Sequence, residues 1–414
     1  MIARPDPATA MPVVTLCLLT VLVCGALVAE RLWHQRARSR IPIVVHVNGT
    51  RGKSSVTRLI AAGLRQGGVL TWAKVTGTLP RLVDEHGEDR PIVRHAASTI
   101  GEQRAVIAAA SRRGVQALVI ECMALKPEYQ RVSEEGLLQA TVGVITNIRP
   151  DHIEVFGSDP LSMLDGLART IPRGKILFTA ERALHAPLHQ AAQGRGTTCV
   201  LADPDSVPAE TLRRFGYYEH AENVALALAV CEHLGVDRRV ALEGMLRCPP
   251  DVGALRPITW HENGRSVLFV NAMAANDPHS TGQLYDELVS RRPTTPAEGR
   301  CIVVNTRQDR PARTGQMAQL VGTLDADHVY VVGSGAQQFR DRALAQGWPT
   351  VRLTLLDAPA PDMAQQLLDR AQPRLVVFAM GNIAGPGLAL ADEIERRAAA
   401  GGPDELADDE RMAA

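Results

Sequence analysis

Lysine is nearly missing from this 414-residue chain. Of 45 basic residues only four are lysines, Lys53, Lys74, Lys126 and Lys175, and the remaining 41 are arginines. A lysine inside a motif therefore carries more information than usual. Charge of either sign is not in excess. The 45 basic side chains are matched by 45 acidic ones, so no global field draws the chain toward nucleic acid or toward an acidic polymer. The seven cysteines (17, 24, 122, 199, 231, 248 and 301) include no CxxC pair and no metal-ligand spacing among themselves. They read as free thiols of a reducing compartment and not as a disulfide framework. No internal repeat is evident. What the chain has in ordinary measure is apolar residues, 45%, which suffice for two packed domains at this length.

One long apolar run stands out. Residues 11–29 carry no charge over 19 positions. As a helix they would span about 28 Å, close to the hydrocarbon thickness of a bilayer. Arg31, Arg36, Arg38 and Arg40 follow the run, with Trp33 among them, whereas only Arg4 precedes it and is offset by Asp6. That asymmetry predicts a single-pass membrane helix with the N-terminus outside and the body in the cytoplasm. A cleaved signal peptide would put the charge on the other side of a shorter apolar core.

After this segment, apolar β-branched runs alternate with helical patterns. Strands are expected at 41–47, 69–74, 117–121, 142–146, 176–179 and 199–202, with helices at 54–66, 102–113 and 222–234 between them. A second series of strands is expected at 267–270, 301–304, 328–332, 351–354 and 375–379. Such alternation predicts an α/β fold, a doubly wound parallel sheet followed by a second, smaller Rossmann-like α/β domain. The Pro-rich stretch 248–257 places the boundary. The expected parts are a tail and transmembrane helix (1–29), a basic linker (30–40), a first α/β domain (41–255), a C-terminal α/β domain (256–400) and a disordered tail (401–414).

The chemistry concentrates in Asn48-Gly49-Thr50-Arg51-Gly52-Lys53-Ser54-Ser55. A glycine-rich turn between a buried strand and a helix aims backbone N–H groups and the helix dipole at an anion. Lys53 is expected at the terminal phosphates of ATP, and the Ser54 hydroxyl at Mg²⁺. The spacing differs from GxxxxGK[ST], because Val47 stands where the first glycine would be.

That shorter form, GTxGKS, resembles the Mur ligase superfamily, which includes the peptidoglycan precursor ligases and folylpolyglutamate synthetase. The likeness extends to Val119-Ile120-Glu121 and to Thr146-Asn147-Ile148-Arg149-Pro150-Asp151-His152. Both segments end predicted strands, where doubly wound sheets place their ligands. The resemblance implies that Glu121 and His152 ligate Mg²⁺ and that Asn223 lies on the nucleotide side. Taken alone, Glu121 is a strand-end charge and Asn223 a helix-start residue. Within the superfamily the chain is similar to the ATP-ligase subunits of poly-γ-glutamate synthases, the PgsB/CapB type. HVNGTRGKSS, ECMALKPE, TNIRPDHIEVFG, FVNAMAANDPHST, NTRQDRPART and AMGNIAGPG carry this likeness over nearly the whole length.

Two features of the relatives are not matched. No lysine lies between Lys126 and Lys175 to supply the carbamoylated side chain of many Mur ligases, which leaves one metal or two open. The UDP-substrate domain of the wall ligases has no counterpart before the loop strand. The resemblance implies ATP-dependent ligation of glutamate to a growing poly-γ-glutamate chain, with small membrane subunits as partners. A guanidinium fork suits carboxylates and phosphates. Arg256 is accordingly expected at the γ-phosphate, and Arg307, Arg310 and Arg313 at glutamate carboxylates, with solvated surface as the alternative for all four. Two other functions stay open, a folylpolyglutamate-like or other amino-acid ligase and a membrane-tethered P-loop ATPase.

Overall fold

A computed structural model describes residues 7–77, 80–94, 99–149, 153–157, 159–251, 255, 257–273, 278–290, 298–371 and 373–400. It divides into two compact units. The first comprises Met1–Pro208 and Ala221–Cys248, and the second Ala209–His220 and Pro249–Ala414. The second unit thus begins at the Pro-rich stretch but also takes a short segment from within the expected first domain. His152, Arg256 and the expected tail 401–414 lie outside the described residues.

The first unit is built on eight strands: β1 (Ile43–Asn48), β2 (Thr71–Val75), β3 (Arg81–Val83), β4 (Asp89–Pro91), β5 (Ala117–Glu121), β6 (Val142–Ile145), β7 (Ile176–Thr179) and β8 (Thr198–Leu201). Their spatial order is β4-β3-β2-β5-β1-β6-β7-β8. Six of them, β2, β5, β1, β6, β7 and β8, pair in parallel, as the alternating pattern predicts. The hairpin β3–β4 adds antiparallel to β2 and was not expected. Its strands are three residues long, and Arg81, Asp89 and Arg90 give them no apolar alternation. Both faces of the central strands are buried, which accounts for their continuous β-branched runs.

Three helices of this unit matter below: α1 (Pro7–Ser39), α2 (Lys53–Gln66) and α3 (Glu102–Arg113). The apolar part of α1 is exposed and long enough to cross a membrane. The helix does not stop at Ala29. The stretch 30–40, expected as a linker, is helical through Ser39 and is tied to the body. Arg38, 9% exposed, donates to the carbonyls of Leu138, Ile41 (2.7 Å) and Gln139 (2.7 Å). His34 reaches the carbonyl of Leu137 at 2.8 Å, and Glu30 pairs with Arg104 of α3. What read as interfacial positive charge is therefore partly structural.

The second unit holds β9 (Pro257–Glu262), β10 (Arg265–Asn271), β11 (Glu298–Asn305), β12 (His328–Val332), β13 (Leu353–Leu355) and β14 (Arg374–Gly381), ordered β13-β12-β11-β14-β10-β9. All pairs are parallel except β9–β10. The central strands send alternate residues to two cores. Cys301, Val303, Leu375 and Val377 face one, and Ile302, Val304, Val376 and Phe378 the other. β9 escapes prediction because it opens on a proline and only Trp260 in it is fully buried.

A charged pair sits inside the first unit. His46 of β1 donates from Nδ1 to Glu134 Oε2 at 2.8 Å, both residues buried. Burial disfavours the imidazolium, but Cys122 and Glu134 beside it outweigh that and raise its pKa to about 9. The folded value lies above the ordinary 6.5, so the pair's contribution to stability is complete below that pH and is lost as pH rises through about 9. The gap in unfolding midpoint between the wild type and His46→Gln should narrow over this window. A constant gap would mean that the pair is not ionised. The docked end of α1 gives a second expectation. Removing residues 1–29 should leave the melting temperature unchanged. Removing 1–40 should cost at least about 2 kcal/mol, because charge-assisted bonds leave with Arg38. Equal melting curves for the two truncations would show that the helix end contributes nothing to the body.

Candidate functional site

β1 lies between β5 and β6 and runs straight into the glycine-rich loop, so the loop emerges at the carboxyl ends of three parallel strands. This is the position at which open α/β sheets bind ligands. Two backbone conformations make the turn. Gly49 has φ +131° and Gly52 φ +78°, both in the region that side chains rarely adopt. At Gly49 a Cβ would overlap the Thr146 hydroxyl, and at Gly52 it would stand 2.5 Å from Asn223 Oδ1. Gly52 is the N-cap of α2, and no side chain caps that helix start. Its first amides thus face the loop with the positive end of the helix dipole behind them.

Side chains from β6's extension hold the loop. Thr146 Oγ1 donates to the Arg51 carbonyl at 2.6 Å. Asn147 Oδ1 accepts from Thr50 Oγ1 at 2.7 Å and from the Arg51 amide at 3.1 Å, while its Nδ2 donates back to the Arg51 carbonyl. Thr50 in turn accepts from the Arg149 amide at 2.9 Å. The motif Thr146-Asn147 thus acts as a clamp, a role that its spacing in the sequence does not disclose.

The candidate ligands fall on either side of this frame. Lys53 Nζ donates to the carbonyls of Gly49 (2.7 Å) and Thr50 (3.2 Å), which folds its ammonium over the loop. The Ser54 hydroxyl donates to Glu121 Oε2 at 2.9 Å, and the Thr76 amide donates to the same oxygen at 2.6 Å. Glu121 is 2% exposed, so a solvated strand-end charge is not what it is. A hydroxyl and a buried carboxylate side by side form a hard oxygen donor set that fits Mg²⁺. Ser55 follows in the first turn of α2, and Asn223, in the helix Ala221–His233, stands against Gly52. Asn48 belongs to the expected set by sequence, but its side chain is spent elsewhere. It is 3% exposed and donates to Gln130 (2.9 Å) and Thr170 (3.1 Å) inside the fold.

Lys74 was singled out by rarity alone. It is fully buried at the end of β2 and bonds Glu102 at 2.7 Å, with Arg94 on the same carboxylate. Burial pushes its pKa down, while Glu102 and Glu121 oppose that shift. The network lends positive charge to the neighbourhood of Glu121.

In the second unit, Arg307, Arg310 and Arg313 follow the carboxyl end of β11. Arg307 is paired with Asp309 at 2.6 Å and 2.9 Å, and Arg310 is exposed at the start of the helix Pro311–Val321. Asn305 entered the sequence analysis only as the first residue of NTRQDRPART, with no role assigned. This buried residue ends β11 and donates to the carbonyls of Asn382 and Ala384, fixing the Gly381–Gly387 turn. Cβ atoms added at Gly333, Gly381 or Gly387 would collide with Asn305 or Thr306. The glycines of that turn are therefore explained at least in part by close packing.

Comparison with known proteins agrees with this geometry. Residues 47–159 match the Mur ligase middle domain, and residues 258–397 match the poly-gamma-glutamate synthase CapB C-terminal domain. PGA synthase CapB of Bacillus subtilis (strain 168) is 34% identical over 378 residues, 90% of this chain and 95% of that one. The capsule biosynthesis protein CapB of Bacillus anthracis is 33% identical over 388 residues, 92% of this chain and 82% of that one. Among solved structures, Escherichia coli FolC in complex with DHPP and ADP has a TM-score of 0.65 at 16% identity, covering 89% of this chain and 93% of its own. The bifunctional folylpolyglutamate synthase/dihydrofolate synthase of Yersinia pestis, complexed with AMPPNP and Mn, also scores 0.65 at 16% identity, covering 88% and 92%. The fold is thus Mur ligase-like, and the chain belongs to the CapB family of poly-γ-glutamate synthases.

Proposed function

We propose that the chain joins glutamate units by way of an acyl phosphate, with the β1–α2 loop as its ATP site. Membership of the CapB family makes it an ATP-dependent amide-bond-forming ligase of poly-γ-glutamate synthesis. The observation that most supports the finer reading is the convergence of Lys53, the Ser54–Glu121 pair and Asn223 on one turn at the strand ends.

In the first step an oxygen of a glutamate carboxylate of the growing polymer attacks the γ-phosphorus and the bond to the β-phosphate oxygen breaks, releasing ADP. In the second the amine of the incoming glutamate attacks the acyl carbon, phosphate leaves and the amine loses its proton. Lys53 and the first amides of α2 would oppose the charge that builds on the phosphates, where preorganised donors contribute most. Ser54 and Glu121 would hold Mg²⁺, together with His152 by motif, and Asn223 would border the nucleotide. When bound, the ion neutralises phosphate charge. Arg256 is proposed for the γ-phosphate, and Arg307, Arg310 and Arg313 for glutamate carboxylates. Arg307 would have to exchange Asp309 for substrate. The apolar helix α1 is proposed to span the cell membrane once, with the body in the cytoplasm and small membrane subunits as partners.

Lys53→Ala should lower ATP turnover by about 10²-fold or more while leaving the melting temperature unchanged, since the ammonium acts on developing charge and packs in no core. Gly49→Ala should instead abolish nucleotide binding in a fluorescence titration, because its Cβ displaces Thr146. Turnover like the wild type in both variants would remove the loop from the site. The chemical route has its own test. With ¹⁸O in the carboxylate of the acceptor chain, one labelled oxygen should appear in phosphate for each bond formed, and hydroxylamine should trap a hydroxamate. Sustained ATP turnover with unlabelled phosphate would rule out acyl-phosphate ligation and leave a water-hydrolysing ATPase.

A further inference from the structure

At the far edge of the first unit's sheet, three side chains with no part in the nucleotide site point at one another. His185 and His189 lie four residues apart on the helix His185–Gln193, and so on one of its faces. Cys199 sits on the edge strand β8, which pairs only with β7, and packs among the residues beneath that helix. One donor atom from each of the three lies within 4.8 Å of the other two. His185 Nε2 and His189 Nδ1 are buried from solvent and have no hydrogen-bond partner. Unpaired buried polar atoms are costly, and a nitrogen so left on each imidazole of this cluster calls for a ligand that accepts lone pairs.

We propose that His185, His189 and Cys199 bind a divalent cation of the zinc class. Two imidazoles and a thiolate suit a borderline-soft ion in tetrahedral coordination, with the fourth position left to water. Mg²⁺ and Ca²⁺ take oxygen donors, so the site is chemically distinct from the Ser54–Glu121 pair. Zn–N bonds of about 2.0–2.1 Å and Zn–S of about 2.3 Å bring tetrahedral ligands to roughly 3.5 Å from one another. The donor atoms, all within 4.8 Å of one another, would draw together on binding. On binding, the Cys199 thiol gives its proton to solvent and its sulfur lone pair to the ion. The cysteines alone show no metal spacing, because this site draws one cysteine from a strand and two histidines from the preceding helix. The cation would staple the last strand of the sheet to its covering helix.

The test uses the full-length chain in detergent, stripped with a chelator and dialysed against Zn²⁺. Metal analysis should find one Zn²⁺ per chain in the wild type, and binding at least tenfold weaker in C199S and in the H185N/H189N double variant. Peptide mass spectrometry of the wild type supplies a measurement that depends on no variant's folding. Bound Zn²⁺ should slow alkylation of Cys199 at least tenfold and leave Cys17 and Cys24 unaffected. Equal Zn²⁺ content in wild type and folded variants, or Cys199 alkylation indifferent to Zn²⁺, overturns the site.

Discussion

The pairing of β1 with β5 on one side and β6 on the other is the constraint on which the candidate site depends. Parallel register puts Val47 opposite Glu121 and Asn48 opposite Ile145, so all three strands end at one level. Glu121 is thereby delivered to Ser54, and Thr146 and Asn147 to the loop carbonyls and amides. A slip of one residue in the β1–β5 pairing would turn Glu121 to the other face of the sheet, and one in the β1–β6 pairing would carry Thr146 and Asn147 away from the loop. The local sequence alone does not hold the loop. Its two left-handed glycines permit the turn, and the neighbouring strand imposes it.

Much of this was legible in the sequence, for identifiable reasons. Strands such as β5, β7 and β12 begin and end where expected because they are buried on both faces and read as uninterrupted apolar runs. The loop could be read because a glycine-rich turn carries rare residues in fixed order, whereas Glu121 and Asn223 were pointed to by the resemblance alone; the structure sets Glu121 against Ser54 and Asn223 against Gly52. What could not be read depends on partners remote in sequence. Asn48 looks like a loop residue until Gln130 and Thr170 are seen to hold it. Arg38 resembles a flanking membrane charge until three carbonyls a hundred residues away, or across a turn, are found around it. Asn305 lies in an unremarkable strand end, and only the turn packed on it shows its work. β9 and the β3–β4 hairpin are short, polar or proline-bearing additions that offer little period to detect.

The interior of the first unit carries paired charge. His46–Glu134 and Lys74–Glu102–Arg94 both lie close behind strands that end at the site. Such pairs are weak sources of net stability but costly to break, since each partner would be left buried and alone. Their effect is to fix which side chains lie beneath Glu121 and Cys122, and so to restrict how far the strand ends can relax when charge accumulates above them. In the second unit the turn after the central strand rests on neutral groups. There Asn305 and close glycine contacts set the turn after β14, and the arginines after β11 remain at the surface.

The unbroken course of α1 from its apolar stretch to Ser39 has a mechanical consequence. A flexible tether would let the body wander over a volume set by its contour length, whereas a helix pinned by Arg38 and His34 behaves as a post. From Ala29 to Ser39 it rises about 15 Å. With the apolar stretch seated in a bilayer, the body would be held at that height and at a set azimuth, because rotation of the post turns the enzyme with it. Another helix packing beside α1 would then dictate not only that the body is near the membrane but which way its strand ends face.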